Sequence, residues 1–151
     1  MASALKSAWP ENLIIVFPGE REAQTFAEDW PVFSDLPIAL YPTVDQRRPE
    51  DLSADPGFGR RLRVLKELAT DNQTQPVIAT SIQALSHPVM PPQQILESEY
   101  RMAVGETMDL ERFRAWLKQN AYQPTPSVRM PGEFSVRGGI IDVFAPDWTM
   151  P

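Results

Sequence analysis

Residues 132–146 have the sequence GEFSVRGGIIDVFAP, and this stretch decides the fold of the C-terminal part of the chain. Phe134 and Val136 alternate with polar residues, which is the period of a strand with one buried face. The glycine pair that follows permits a tight turn, and the β-branched and aromatic residues after it favour a second strand. The stretch therefore predicts a β-hairpin with Arg137 beside its turn. An arginine in that position can offer its planar fork of N–H donors to a carboxylate of a partner.

Upstream of the hairpin, short apolar runs alternate with helical patterns. Residues 13–17 are a continuous apolar run, which predicts a central parallel strand buried on both faces. Further strands are expected at 38–41 and 77–79, with a helix at 20–30 and another that starts at Asp55. This alternation predicts the α/β class, with a parallel-sheet layer that resembles a degenerate nucleotide-binding domain.

The pattern changes near residue 90. A strand is expected at 99–104, followed by a helix capped by Asp109 or Thr107 and then by the hairpin. This second part is therefore predicted to be a small α+β domain with antiparallel pairing. We expect a first domain at 1–92 and the first part of a second at 93–151.

Composition excludes several classes of function. The chain has 151 residues, no cysteine and one histidine, so thiolate catalysis and Cys- or His-based metal sites are not expected. Its net charge of -6 favours a protein partner over a phosphate backbone. No apolar run approaches the about 20 residues that span a bilayer, and we expect a cytoplasmic protein without a membrane partner.

A phosphate-binding loop is not apparent in the sequence. Such a loop has the pattern Gly-x-x-x-x-Gly-Lys-Ser/Thr between a strand and a helix, whereas PGERE at 18–22 places carboxylates there. No nucleophile, base and acid are identifiably placed together either. We therefore expect no cofactor and no catalytic activity from this chain.

Basic residues are concentrated on either side of residue 55. They could contact nucleic acid or an acidic partner, or form a solvated helix face balanced by nearby carboxylates, and we favour the solvated face. The residues are Arg47, Arg48, Arg60, Arg61, Arg63 and Lys66.

Three segments carry a resemblance to a known family. EFSVRGGIIDVF at 133–144 closely resembles the Gly-Glu-Phe-x-x-Arg-Gly-x-[IVL]-[IL]-Asp-[IVL]-Phe-Pro segment shared by the bacterial transcription-repair coupling factors (Mfd) and the excision-repair subunit UvrB. DPGFGRRLRVLKEL at 55–68 and PVIATSIQAL at 76–85 look like coupling-factor stretches. The departure is Ala145, where the family usually has proline.

The resemblance implies a function. It identifies residues 1–92 with a UvrB-like domain 1a that has lost its ATP motif, and residues 93–151 with a UvrA-binding domain 2 that is truncated here. The parent protein would be an ATP-dependent DNA translocase that displaces stalled RNA polymerase, and we expect this chain to be its UvrA-recruiting N-terminal fragment. RNA polymerase and DNA would be contacted only by other parts of that parent.

The resemblance also implies which residues face UvrA. Arg137 matches an arginine on the UvrA-facing surface of the family, and Arg129, Glu133 and Phe134 are weaker candidates around it. One alternative is that Arg137 pairs with an internal acid such as Glu133. We expect Asp142 to accept hydrogen bonds from nearby backbone or from an arginine of the same small domain.

A second identity stays open at this point. The chain could be a fragment of UvrB, the damage-verifying subunit. The missing phosphate loop and the scarcity of aromatic residues between Phe33 and Phe58, where UvrB carries an aromatic-rich hairpin, weigh against it.

Overall fold

The computed structural model describes residues 13–44, 55–70 and 76–150, which form two three-stranded sheets with packed helices. The α/β class expected from the sequence is confirmed. In chain order the elements are β1 (Ile14–Phe17), α1 (Glu20–Phe33), β2 (Ile38–Tyr41), α2 (Pro56–Ala69), β3 (Val77–Ser81), α3 (Ile82–Leu85), α4 (Pro92–Glu97), α5 (Leu110–Gln119), β4 (Gln123–Pro124), β5 (Glu133–Arg137) and β6 (Ile140–Val143). Within the described ranges, no helix is long and apolar enough to cross a bilayer.

The first sheet is parallel with strand order β1-β3-β2. Every residue of the central strand β3 is buried, because α1 packs against the sheet and α2 covers part of it through a cluster around Val64 and Ile78. The prediction that residues 13–17 form the central strand was wrong, since β1 lies at an edge. Its Ile14 and Val16 are 47% and 46% exposed, whereas Ile15 and Phe17 on the other face are half-buried, with Phe17 packed on Phe26 of α1.

Helix α1 is longer than predicted. It continues through Pro31 to Phe33, three residues beyond the expected end at Trp30. Trp30 is buried and donates from Nε1 to the carbonyl of Leu36 at 2.7 Å, and its ring packs against Phe26. The hydrogen bond ties the last turn of the helix to the loop that leads into β2, which local sequence signals do not report.

The second sheet contains the predicted hairpin. Strands β5 and β6 pair antiparallel, and the short β4 pairs parallel with β5. Helix α5 starts at the expected cap, since Asp109 accepts from the backbone N–H groups of Glu111 and Arg112. The core under the hairpin consists of Phe113, Leu117 and Phe134. The strand predicted at 99–104 is absent, and Glu99 instead forms ion pairs with Lys66 and Arg101.

Burial changes along the hairpin as well as across it. Phe134 and Ser135, on opposite faces, are both buried, whereas Val136 and Arg137 are both exposed. The expected alternation of buried and exposed residues was therefore wrong. The core under the hairpin covers one face of β5 at Phe134, and the carbonyl of Pro126, 3.4 Å from the Ser135 hydroxyl, lies against the other face. Both contacts are in the first half of the strand, and the second half is exposed.

The expected boundary at residue 92 falls at the start of α4. This helix packs against α2 of the first layer. The division of the chain into domains at this point stays a prediction.

Candidate partner-binding hairpin

Arg137 lies at the outer end of β5 and pairs with Asp142 across the hairpin. In the register Ser135 is opposite Asp142, so Arg137 and Asp142 are diagonal neighbours on one face. The Arg137 Nη2 donates to the Asp142 Oδ2 at 2.6 Å. The side chains are 67% and 42% exposed, so the pair stands in solvent. This confirms the expectation that Asp142 accepts from an arginine of the same region. The alternative that Arg137 pairs with an internal acid is also confirmed, but the acid is Asp142 and not Glu133.

The turn beside Arg137 projects away from the rest of the molecule. Gly138 has a φ of +59°, a left-handed conformation that favours glycine. A Cβ added at either glycine of the turn would meet no atom of the described residues within 4 Å, apart from those of its two chain neighbours. Ile140, directly after the turn, is 65% exposed. Arg137 is therefore flanked by an accessible apolar side chain on a protruding tip.

Glu133 holds the turn that leads into β5. Its Oε2 accepts from the backbone N–H groups of Arg129 at 2.7 Å and Met130 at 2.8 Å. These two hydrogen bonds hold the pKa of the Glu133 carboxyl below its ordinary value of 4.5. Since the carboxylate is already engaged, Glu133 shapes the backbone here while the side chain of Arg129 is exposed.

Phe134 is 1% exposed and belongs to the core under the hairpin. Any effect of this residue on binding would therefore act through the stability of the hairpin. Of the four predicted residues, Arg137 and Arg129 are exposed, Glu133 holds a turn and Phe134 is internal. Ile140 was not among the predicted residues, although its place directly after a glycine pair was a signal of exposure.

The Glu133 turn predicts a dependence of stability on pH. A carboxyl whose pKa is lowered by folding stabilises the native state above its unfolded pKa and loses that contribution as pH falls through its folded pKa. We expect Glu133→Gln to lower the melting temperature at neutral pH and to lose most of this difference well below pH 4.5, the ordinary pKa. Thermal unfolding of both proteins across that range tests this, and a difference independent of pH would contradict it.

The prediction that the basic residues of α2 form a solvated face was wrong for three of them, whereas Arg60 is exposed. Arg61 is 5% exposed and donates to the carbonyls of Pro42 and Ala84. Arg63 and Lys66 bind Asp147 near the C-terminal end of the described chain. Arg47 and Arg48 lie outside the described residues. Carbonyls and carboxylates far away in sequence bind these three cations.

Many α/β proteins bind nucleotides at the edge of the parallel sheet where the strands end. In this chain the carboxylate of Glu20 lies at that edge. Glu20 in the first turn of α1 accepts from the hydroxyl and, at 3.2 Å, from the backbone N–H of Thr43. The position that a phosphate takes in a phosphate-binding loop is thus next to a negative charge. Among the described residues, no cluster of three or more His, Asp or Glu could hold a metal ion.

Comparisons with known proteins agree with this geometry. A sequence model of the UvrB interaction domain matches residues 100–150, which include α5 and the hairpin. A transcription-repair-coupling factor of Mycobacterium bovis is 37% identical over 155 residues, covering 97% of this chain and 12% of that protein. The one from Bacillus subtilis is 26% identical over 144 residues, covering 94% of this chain and 12% of that protein.

The chain thus spans about an eighth of the length of these curated relatives, 12% in both cases. The similarity covers both sheets, and the family match lies on the second. Residues 100–150 belong to the UvrB interaction domain family, and the chain as a whole is homologous to part of the transcription-repair-coupling factors.

Proposed function

We propose that this chain is the UvrA-recruiting module of a transcription-repair coupling factor and acts in transcription-coupled nucleotide excision repair. The observation that carries the proposal is the exposed Arg137 on the projecting hairpin, inside the segment that matches the UvrB interaction domain. The parent protein would supply the ATP-dependent translocation and the contacts to DNA and RNA polymerase. A cytoplasmic location follows from that role. The coupling-factor name of the reported relatives favours this identity over a fragment of UvrB.

In the proposed recruitment, the Arg137 guanidinium exchanges the carboxylate of Asp142 for a carboxylate of UvrA. The solvent-exposed pair of Arg137 with Asp142 contributes only about 0–1 kcal/mol, so little is lost when the guanidinium turns to a partner. Within the described residues Arg137 donates one hydrogen bond, while a guanidinium has five N–H donors. In a desolvated interface, a charge-assisted contact contributes on the order of 1.5–3 kcal/mol. Ile140 would add apolar contact beside it.

We expect Arg137→Ala to weaken binding to purified UvrA by about tenfold or more while the chain stays folded. Titration calorimetry measures the affinity, and circular dichroism of each variant reports folding. Arg21→Ala is the control, because it removes an exposed arginine from α1, far along the chain from the hairpin. The same loss in both variants would point to net charge and contradict a specific contact.

Asp142→Asn separates a partner contact from an internal role of the ion pair. If Arg137 binds a carboxylate of UvrA, the variant keeps or improves the affinity, because the guanidinium no longer leaves an internal anion. If the pair only shapes the hairpin, Asp142→Asn weakens binding as much as Arg137→Ala. The second outcome, or no binding by the folded parent chain, would contradict the proposal.

A further inference from the structure

Three residues of α2 hold the segment that follows the hairpin. Gly59 lies so close to this segment that an added Cβ would be 1.9 Å from the carbonyl oxygen of Pro146. Arg63 donates from Nε at 3.1 Å and from Nη2 at 2.8 Å to the carbonyl of Asp147. Lys66 donates from Nζ to the Asp147 carboxylate at 2.9 Å. One helix face thus contacts two consecutive residues through backbone, carbonyl and carboxylate.

Lys66 also contacts the other end of the second region. Its Nζ lies 3.3 Å from Oε1 of Glu99, which precedes α5, while Asp147 follows β6. A single ammonium group therefore joins the segment that leads into this region and the segment that leaves it. The three side chains are 33%, 24% and 15% exposed for Lys66, Glu99 and Asp147, so the contact is partly shielded from solvent.

The protonation behaviour agrees with this geometry. Burial acts against the charge of Lys66, but the hydrogen bonds and charges of Asp147 and Glu99 outweigh it and hold the lysine pKa above 10.5. Burial, together with the charge of Asp147, raises the pKa of Tyr122 to about 12. Tyr122 packs on the core under the hairpin. Asp147 therefore lies close enough to this core to affect Tyr122, while it also binds Arg63 and Lys66 of α2.

We propose that Gly59, Arg63 and Lys66 form a clasp that fixes the orientation of the hairpin relative to the parallel sheet, so that Lys66 is a positioning residue for partner binding. Within the described residues, the second region is joined to the first through the segment before α5, and it can turn about that segment when no other contact holds it. Lys66 ties both ends to one helix, which removes that freedom before a partner arrives and lowers the entropic cost of binding. The clasp deepens the proposed function and rests on it only for the titration with UvrA, since the orientation of the hairpin can be measured without a partner.

The absence of cysteine allows a direct test of orientation. Spin labels can be attached at two exposed positions, Gln24→Cys on α1 and Lys118→Cys on α5. Pulsed electron paramagnetic resonance then measures the distance between the two regions. We expect one narrow distance distribution in the parent and a broadened or shifted one in Lys66→Met. Lys66→Arg should restore the narrow distribution, because it keeps the charge. Arg60→Met, which removes an exposed cation from the same helix, should leave it unchanged.

The same variants, without labels, are then titrated with UvrA. A broadened distribution together with a several-fold loss of affinity, while Arg137 is intact, supports the clasp as a positioning site. An unchanged distribution in Lys66→Met overturns it, and so does a broadened distribution with unchanged affinity. If Lys66→Met does not fold, Asp147→Asn removes the same ion pair. Failure of the parent to bind UvrA would reject the proposed function, whereas the distance measurement would still decide the clasp.

Discussion

Replacing Phe134 with alanine is expected to lower the free energy of unfolding by about 3–5 kcal/mol, the cost of truncating a buried phenylalanine. Phe134 is 1% exposed and forms one cluster with Phe113 and Leu117 of α5. It lies opposite Val143 in the hairpin register, so its ring joins the two strands to the helix. The cavity would remove the main support of the strand that carries Arg137. Urea denaturation followed by circular dichroism measures the loss.

Phe33→Ala is the matched control for this truncation. Phe33 ends α1 with 76% of its surface exposed, so the same change in side chain removes little buried area. We expect its effect to stay within about 0.5 kcal/mol. Equal losses in the two variants would mean that Phe134 does not occupy a packed core. Under the proposed function, Phe134→Ala should also reduce affinity for UvrA under conditions where it unfolds.

Local signals account for the parts of the fold that the sequence predicted well. The cap at Asp109 depends on hydrogen bonds to residues two and three positions away. The hairpin turn depends on a glycine pair whose first member adopts a positive φ. Each structure is determined within a few residues, so composition and spacing are sufficient to find it.

The wrong predictions concern neighbours that are distant in sequence. An apolar run is compatible with a central or an edge strand, and in the described part of the chain β1 pairs with β3 alone and exposes Ile14 and Val16. Glu99 was predicted to begin a strand, but it lies in an irregular segment and pairs with Lys66. The structure depends in both cases on which elements pack together, which a single sequence does not specify.

The candidate site shows the same division. Arg137 was predicted from its place beside the turn, together with a family resemblance. Its pairing with Asp142 rather than Glu133 depends on the strand register, which sets the two on one face. The clasp had no local signal, because Lys66 and Asp147 are 81 positions apart.

Arg61→Ala is expected to lower the free energy of unfolding by about 3 kcal/mol, through a cavity and the loss of two hydrogen bonds to carbonyls. The Arg61 Nη1 donates to Pro42 at 3.1 Å and to Ala84 at 3.0 Å, which lie just beyond β2 and in α3. Its guanidinium carbon is 4.2 Å from the centroid of the Tyr41 ring. Arg61 therefore ties α2 to the carboxyl edge of the sheet through hydrogen bonds and a cation–π contact.

Two further variants identify which part of this contact matters, each measured by denaturant unfolding. Arg60→Ala removes the exposed neighbouring arginine and should change stability by no more than about 0.5 kcal/mol. Arg61→Met keeps an apolar stem against Tyr41 but has no donor, so it should fall between Arg61→Ala and the parent. If Arg61→Ala costs no more than Arg60→Ala, Arg61 is solvated and the basic cluster is a surface feature after all. A large loss of unfolding free energy in the Arg61 variants alone would instead show that this arginine fixes α2, the helix that carries the clasp, to the parallel sheet.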